Sequence, residues 1–197
     1  MARPLIVLAS TSRYRRELLE RLHWPFEVHA PQVDETALPS ETPRETALRL
    51  ARDKAANVAA HFSGAIVIGS DQTVDLNGVA LGKPLSHEAA LAQLQSLQGR
   101  TAVFYTALAV NGPALNSMQI DCVPTTVTFR NLPTAQLEAY LRADQPYDCA
   151  GAAKIESLGI ALIQSVKSHD PTALIGLPLI RLTSMLASAG IDVLGRP

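Results

Sequence analysis

The sequence predicts an α/β fold in which a mixed twisted sheet with flanking helices forms two lobes around a central cleft. Apolar runs without polar alternation, at 5–9 and 65–68, are typical of strands that are buried on both faces. Helical segments with capping residues separate the strands of the first half. In the second half, the β-branched and aromatic runs 101–110 and 125–129 predict longer antiparallel strands.

Local signals define the first elements. After the strand 5–9, the hydroxyl-rich loop Ser10-Thr11-Ser12 can cap a helix over about 13–22, and a short strand is expected at 26–28. An acidic, proline-bearing loop then covers 34–43. Thr42-Pro43-Arg44-Glu45 combines a threonine cap, a proline at the first helical position and a glutamate three residues after the cap. It therefore predicts a helix that continues to about residue 60.

The strand 65–68 runs directly toward a carboxylate. We expect Gly69 and Ser70 to end the strand just before Asp71, at the strand end where such sheets carry their chemistry. Asn77-Gly78 tolerates the positive φ angles of a tight hairpin turn, and this hairpin would fold Lys83 back toward Asp71. The alternative is a solvated aspartate in a loop and a surface lysine, which is the commoner arrangement for an arbitrary Asp–Lys pair.

The later elements also have start and stop signals. Ser86 opens a helix through about residue 97, and a further helix is expected over 133–142. The apolar run 159–163 predicts a strand. Asp170-Pro171 caps a short helical turn, and the closing helix should cover 177–189 and end at Gly190.

Composition narrows the class of protein. The chain has 197 residues and 47% apolar content, enough for a proper core, and we treat 1–197 as a single domain. Seventeen Lys plus Arg against eighteen Asp plus Glu give no reason to expect nucleic-acid binding. Cys122 and Cys149 lie far apart in the sequence, so neither a zinc site nor a disulfide framework is indicated. A reducing cytoplasm is the compartment that fits this cysteine usage best. The apolar N-terminal stretch is too short for a signal peptide or a membrane span.

Two segments have the residues of an anion or cation site. Ser10, Ser12, Arg15 and Arg16 surround the start of a predicted helix, where free N–H groups favour phosphate, although a capped surface helix is about as common. Asp34-Glu35 offers carboxylate oxygens to a divalent cation, although an acidic loop is more often solvated. Lys54, considered alone, would be a surface charge.

Several familiar nucleotide and hydrolase motifs are missing from the sequence. The segment 78–84 is one residue short of a P-loop and has proline where the magnesium-binding Ser or Thr should stand. There is no GxGxxG after a strand and no GxSxG, and the five histidines lack metal-ligand spacing.

Six ordered motifs give the chain a resemblance to the Maf nucleotide pyrophosphatases over nearly its whole length. They are Leu8-Ala9-Ser10-Thr11-Ser12 with Arg15-Arg16 and Leu18-Leu19; Val33-Asp34-Glu35; Arg49-Leu50-Ala51 with Lys54-Ala55; Gly69-Ser70-Asp71-Gln72; Gly82-Lys83-Pro84; and Gly176-Leu177-Pro178. Within the family the chain most resembles the 7-methyl-GTP pyrophosphatase (YceF-like) branch. The pointers are Tyr14, Gln72, Cys149-Ala150-Gly151 with Lys154 and Glu156, and Asp170-Pro171.

The resemblance implies a Maf/inosine-triphosphatase-like fold and hydrolysis of a nucleoside triphosphate to the monophosphate and pyrophosphate. It implies a divalent metal, Mg, Mn or Co, held by Glu35 and Asp71. Asp71 matches the family's proton acceptor. Arg15, Lys54 and Lys83 would offset phosphate charge, and Ser10 would donate a hydrogen bond. A cytoplasmic location and a homodimer are further expectations, without nucleic acid or a membrane as partner.

The expected substrate is 7-methyl-GTP. N7-methylation makes guanine cationic, so the face of Tyr14 can attract it, and Glu156 can accept from the guanine N1–H and amine while Gln72 adds a polar contact. Two departures from the family pattern are Arg13, where proline is common, and Tyr14, where relatives often carry tryptophan.

Two other functions stay open on the sequence. In the dTTP/UTP branch of the family, arginine would be expected in place of Tyr14. A non-catalytic nucleotide-binding regulator of cell division would need the phosphate-binding residues but not Asp71.

Overall fold

The computed structural model describes residues 4–195. Its seven strands form one mixed sheet with the order β2-β1-β3-β5-β6-β7, and the short β4 pairs with β3. The strands are β1 (Ile6–Ala9), β2 (Glu27–His29), β3 (Ile66–Leu76), β4 (Val79–Leu81), β5 (Thr101–Asn111), β6 (Gln119–Phe129) and β7 (Ile163–Lys167). The helices are α1 (Arg13–Glu20), α2 (Pro43–Ala59), α3 (His87–Leu97), α4 (Thr134–Asp144) and α5 (Leu179–Ser188). This is the predicted mixed α/β architecture.

Elements with a complete local signal lie where the sequence predicts them. Thr42 caps α2 in a reciprocal capping box with Glu45, with proline in the first turn. Ser86 caps α3. Asn77 and Gly78 have positive φ angles of 55° and 84° in the turn that joins β3 to β4, as a two-residue hairpin requires.

The predicted end of the third strand is wrong. β3 does not stop before Asp71 but continues to Leu76. Its first residues pair in parallel with β1, which ends at Ala9 opposite Gly69, whereas its pairing with β5 is unbroken from Val67 to Asp75. Asp71 therefore lies inside a strand, two residues beyond the point where the parallel neighbour stops.

The predicted strand 159–163 is also wrong. Residues Leu158–Leu162 form a 3-10 helix, because the chain folds tightly back and the Gly159 N–H donates to the Lys154 carbonyl. The strand β7 begins only at Ile163, and its remaining residues, 164–167, are exposed at the sheet edge. An exposed edge strand lacks the apolar run that would have identified it.

Two large apolar clusters pack at opposite ends of β3 and β5. One cluster includes Ile66 and Ile68 of β3 with residues of α1 and α5, and the other includes Val74 and Leu76 with residues of α3 and α4. The polar residues 70–73 of β3 lie between these two clusters. The central part of the sheet is therefore where polar chemistry is concentrated.

Candidate active site

A buried lysine lies between two carboxylates. The Lys54 ammonium donates to Oδ1 of Asp71 at 2.7 Å and lies 2.8 Å from Oε1 of Glu35. The Lys54 side chain is 5% exposed and that of Asp71 is 10% exposed, whereas Glu35 is 56% exposed. Lys54 is thus a buried partner of the acid, and the structure brings Asp71 to Lys54 more closely than to Lys83.

The helix that carries Lys54 lies directly on β3 because Gly69 has no side chain. A Cβ at Gly69 would be 2.7 Å from the backbone nitrogen of Ala55 in α2, closer than such atoms approach. Residues alternate across a strand, so Gly69 and Asp71 face the same helix. The glycine therefore sets how near α2 comes and puts Lys54 within reach of Asp71.

The start of α1 forms a second cationic group of side chains. Ser12 caps the helix, and Oγ of Ser10 accepts from the Ser12 N–H at 3.1 Å and from the Arg15 guanidinium at 3.4 Å. Burial lowers the pKa of Arg15, and the negative charges of Asp71 and Glu35 oppose that shift. Arg16 instead faces solvent and pairs with Glu20, so it is not brought into this group.

Lys83 is exposed beyond the end of β4. Partial burial acts to raise the pKa of Glu35, but the hydrogen bond and charge of Lys54 outweigh it, and Lys83 and Arg15 add smaller effects in the same direction. The pKa of Glu35 is therefore lowered. Lys83 and Arg15 thus act on the same carboxylate from different elements.

Glu35 and Asp71 lie next to each other, as their contacts with the same Lys54 nitrogen show. Two carboxylates suit a magnesium-type ion, which usually takes one or two protein carboxylates and fills its remaining positions with water and substrate phosphate oxygens. Among residues 4–195, no group of three or more His, Cys, Asp or Glu side chains is arranged to hold a metal by itself. The donor set therefore fits a metal that arrives with a phosphate substrate.

Arg49 holds the loop that carries Glu35, a role that the sequence motifs do not indicate. Arg49 of α2 forms a two-pronged ion pair with Glu41 and donates to the Thr36 carbonyl at 2.9 Å. The hydrogen bond from Arg49, above all, lowers the pKa of Glu41 to about 2. The spacing of Glu41 and Arg49 carries no motif, so only the folded loop identifies this pair.

Two of the residues predicted to read the base, Tyr14 and Glu156, share the neighbours Arg13 and Lys154 near α1. The Tyr14 hydroxyl is 3.9 Å from the Cys149 sulfur, and the Tyr14 ring centroid is 4.8 Å from the Arg13 guanidinium carbon and 5.9 Å from the Lys154 ammonium nitrogen. Burial raises the pKa of Tyr14 to about 12. Shielding from solvent raises the pKa of Glu156, while the charges of Lys154 and Arg13 act to lower it.

Gln72 lies against the loop before α5. Its amide nitrogen donates to Thr106 Oγ1 and to the carbonyls of Ala173 and Leu174, at 2.9 to 3.1 Å. It follows Asp71 in the strand and therefore projects from the opposite face of β3. Gln72 contacts the loop before α5 and has no hydrogen bond to the Tyr14 group.

The chain is similar to known proteins over nearly its full length. The family described as Maf-like protein matches residues 5–189. A relative from Polaromonas sp. (strain JS666), named 7-methyl-GTP pyrophosphatase, is 59% identical and covers 96% of this chain and 86% of its own. Relatives of the same name from Thiobacillus denitrificans and Methylobacillus flagellatus are 59% and 53% identical, covering 98% and 97% of this chain and 96% and 100% of theirs.

A solved structure shares the fold. The HAM1 protein from Coxiella burnetii superposes with a TM-score of 0.51 at 16% identity, covering 95% of this chain and 100% of that one. At that identity the likeness concerns the fold alone. The family match and the full-length relatives together show that this chain belongs to the Maf-like protein family.

Proposed function

We propose that the chain is a nucleoside triphosphate pyrophosphatase that hydrolyses 7-methyl-GTP to 7-methyl-GMP and pyrophosphate. The observation that carries the proposal is the 53–59% identity, over nearly the whole chain, to several relatives that are named 7-methyl-GTP pyrophosphatase. The grouping of two carboxylates, Asp71 and Glu35, with two cationic side chains, Lys54 and Arg15, supports it, because such a group suits the binding and hydrolysis of a triphosphate.

Asp71 would orient water for attack and accept its proton. The water oxygen bonds to the α-phosphorus, the bond from that phosphorus to the bridging oxygen breaks, and pyrophosphate leaves with the bond's electron pair. Lys54 holds one carboxylate oxygen of Asp71 at 2.7 Å, which supports a fixed orientation of the carboxylate for this step. No covalent intermediate with the protein is needed.

Charge compensation would come from three cations on different elements. Negative charge grows on the phosphate oxygens and on the leaving pyrophosphate, and Lys54, Arg15 and Lys83 lie around Glu35, where they can offset it. Glu35 and Asp71 would hold a divalent metal, Mg, Mn or Co, which would polarise the phosphate oxygens. Ser10 lies within hydrogen-bond reach of Arg15 and would donate to a phosphate oxygen.

Base selection would depend on Tyr14 and Glu156. A cationic 7-methylguanine ring is attracted to an aromatic face by about 0.5–2 kcal/mol more than a neutral base. Arg13 already lies 4.8 Å from the Tyr14 ring centroid, so it must leave that face for a base to stack there. The carboxylate of Glu156 would then balance the charge of the base.

Pyrophosphate release from a panel of nucleoside triphosphates tests the proposal. We expect 7-methyl-GTP to be hydrolysed best, and Asp71→Asn to abolish turnover while nucleotide binding persists. Asp192→Asn, which changes an exposed carboxylate far along the chain, is the matched control and should keep wild-type turnover. Unchanged turnover in Asp71→Asn would remove Asp71 from its role.

The same panel separates the two other functions. A preference for dTTP or UTP would exclude the 7-methylguanine assignment, although tyrosine at position 14 is not the arginine expected of that branch. Nucleotide binding without turnover in the wild-type protein would favour the non-catalytic regulator.

Location and assembly remain predictions. Within residues 4–195, no helix has the length and apolar character needed to cross a membrane. We keep the cytoplasm, a homodimer and the lack of a nucleic-acid partner as expectations. Cell fractionation and light scattering would test the first two.

A further inference from the structure

The face of Tyr14 is in contact with a cationic side chain of the chain itself. The Arg13 guanidinium carbon lies 4.8 Å from the Tyr14 ring centroid, and an Arg13 nitrogen donates to the Tyr14 hydroxyl at 3.2 Å. The Lys154 ammonium nitrogen is farther from this centroid, at 5.9 Å. Aromatic rings attract cations within about 6 Å, and a flat guanidinium can also stack on the ring. Arg13 therefore contacts the ring more closely than Lys154 does.

Arg13 also acts on the carboxylate proposed to balance the charge of the base. Burial, above all, raises the pKa of Glu156, and the charges of Lys154 and Arg13 act to lower it. A guanidinium is planar, positively charged and rich in N–H donors, and a 7-methylguanine ring shares these three properties. Arg13 therefore supplies to Tyr14 and Glu156 the charge that a cationic base would bring.

A second position is open to the Arg13 side chain. Glu17 lies four residues on in α1, the spacing at which opposite charges meet on a helix. Arg16 shows this arrangement on the same helix, because it pairs with Glu20 at 3.0 Å. Arg13 is an exposed residue at the start of α1, so its side chain can turn from Tyr14 to Glu17 while the helix stays folded.

We propose that Arg13 is a built-in competitor of the nucleotide base for the face of Tyr14. The proposal rests on the proposed function, because it takes Tyr14 as the surface on which the base stacks. Arg13 covers the ring in the free protein and turns to Glu17 when a base enters. Only the molecules with an uncovered ring can bind the base, so Arg13 weakens the binding of every base by the same factor.

Nucleotide affinity, measured by isothermal titration calorimetry, gives the first test. 7-methyl-GMP and GMP are suitable ligands because neither has a phosphoanhydride bond to hydrolyse. A cation on an exposed ring covers it roughly two to five times as often as it leaves it free, so Arg13→Ala should tighten both ligands by about threefold to sixfold. Arg16→Ala is the matched control. It removes the same charge from α1, but its side chain pairs with Glu20, so it should tighten neither ligand.

Three outcomes of these titrations would overturn the proposal. Weaker or unchanged binding of 7-methyl-GMP in Arg13→Ala would show that Arg13 does not compete with the base. A gain confined to 7-methyl-GMP would show charge repulsion of the cationic base instead of competition for the ring. In a Tyr14→Leu background, Arg13→Ala should bring no gain because the ring is absent, and an equal gain there would exclude competition.

A second measurement starts from the protein without nucleotide. The side-chain proton resonances of Arg13, assigned by their disappearance in Arg13→Ala, should lie upfield of those of Arg16, because the Tyr14 ring shields protons above its face. Tyr14→Leu should move them to the Arg16 position, and so should saturation with 7-methyl-GMP. Arg13 resonances that already coincide with those of Arg16 would refute the contact. A failure of the proposed function would be seen separately, as a lack of 7-methyl-GTP hydrolysis, and would leave the upfield shift in place.

Discussion

Removing the lysine of the buried ion pair should destabilise the protein far more than removing its acid. In Lys54→Met, the carboxylate of Asp71, 10% exposed, loses a partner at 2.7 Å. Breaking a buried pair from one side costs about 3–5 kcal/mol, because the remaining charge stays desolvated and uncompensated. Methionine nearly fills the lysine volume, so little cavity forms, and we expect a loss near the lower limit, about 3 kcal/mol.

Replacing Asp71 instead of Lys54 leaves the lysine with one carboxylate partner. In Asp71→Asn, Lys54 keeps its contact with Glu35 at 2.8 Å, and the Glu35 side chain is 56% exposed and can adjust. The amide oxygen still accepts a hydrogen bond, so the expected loss is about 1 kcal/mol. The double variant Lys54→Met/Asp71→Asn buries no unpaired charge, and we expect it to be more stable than Lys54→Met by at least about 1 kcal/mol.

Urea unfolding, followed by circular dichroism, measures these differences as the product of midpoint shift and slope. Lys83→Met is the control, because Lys83 is exposed and its replacement should change the free energy of unfolding by less than about 0.5 kcal/mol. A Lys54→Met protein as stable as Lys83→Met would refute the reasoning. So would a double variant no more stable than Lys54→Met.

Two further predictions concern the loop and helix that supply Glu35 and Lys54. Arg49 lowers the pKa of Glu41 to about 2, so their ion pair stabilises the fold above the unfolded pKa of about 4.3, and this stabilisation is lost as the pH falls toward 2. The difference in unfolding free energy between wild type and Glu41→Gln, measured in urea, should therefore shrink on acidification. A difference that does not change with pH would contradict this. Gly69→Ala should lower the free energy of unfolding, measured by heat or urea, by about 1–3 kcal/mol because α2 must move to make room for the added Cβ. Gly82 has open space around it, so Gly82→Ala should be nearly neutral. Equal effects of the two changes would exclude close packing at Gly69 as the cause.

The sequence predicts an element well where its signal is local. The capping box before α2 and the Asn77-Gly78 turn depend only on residues a few positions apart, and both lie as expected. The end of β3 could not be found in the same way. Gly69 and Ser70 resemble a strand break, but nine consecutive pairs with β5 outweigh that local preference.

The sequence also predicts the place of some site residues better than that of others. Asp71, Lys54, Glu35, Arg15 and Ser10 were expected to act together from the family resemblance, and the structure brings them together. Arg16 was expected beside them and faces solvent instead. Its neighbour Arg15 points inward because the buried residues of α1, Leu18 and Leu19, set which side of the helix faces the core.

By itself, the sequence determines the α/β class, the capped helices, the hairpin turn and the family to which the chain belongs, because each depends on neighbouring residues or on ordered motifs. Only the tertiary structure decides that Lys54 is buried between Asp71 and Glu35, and that the Gln72 amide nitrogen donates to the turn before α5. The physical reason is the alternation of side chains across a strand. Once β3 continues through Asp71, neighbouring residues of one motif must serve opposite faces of the sheet.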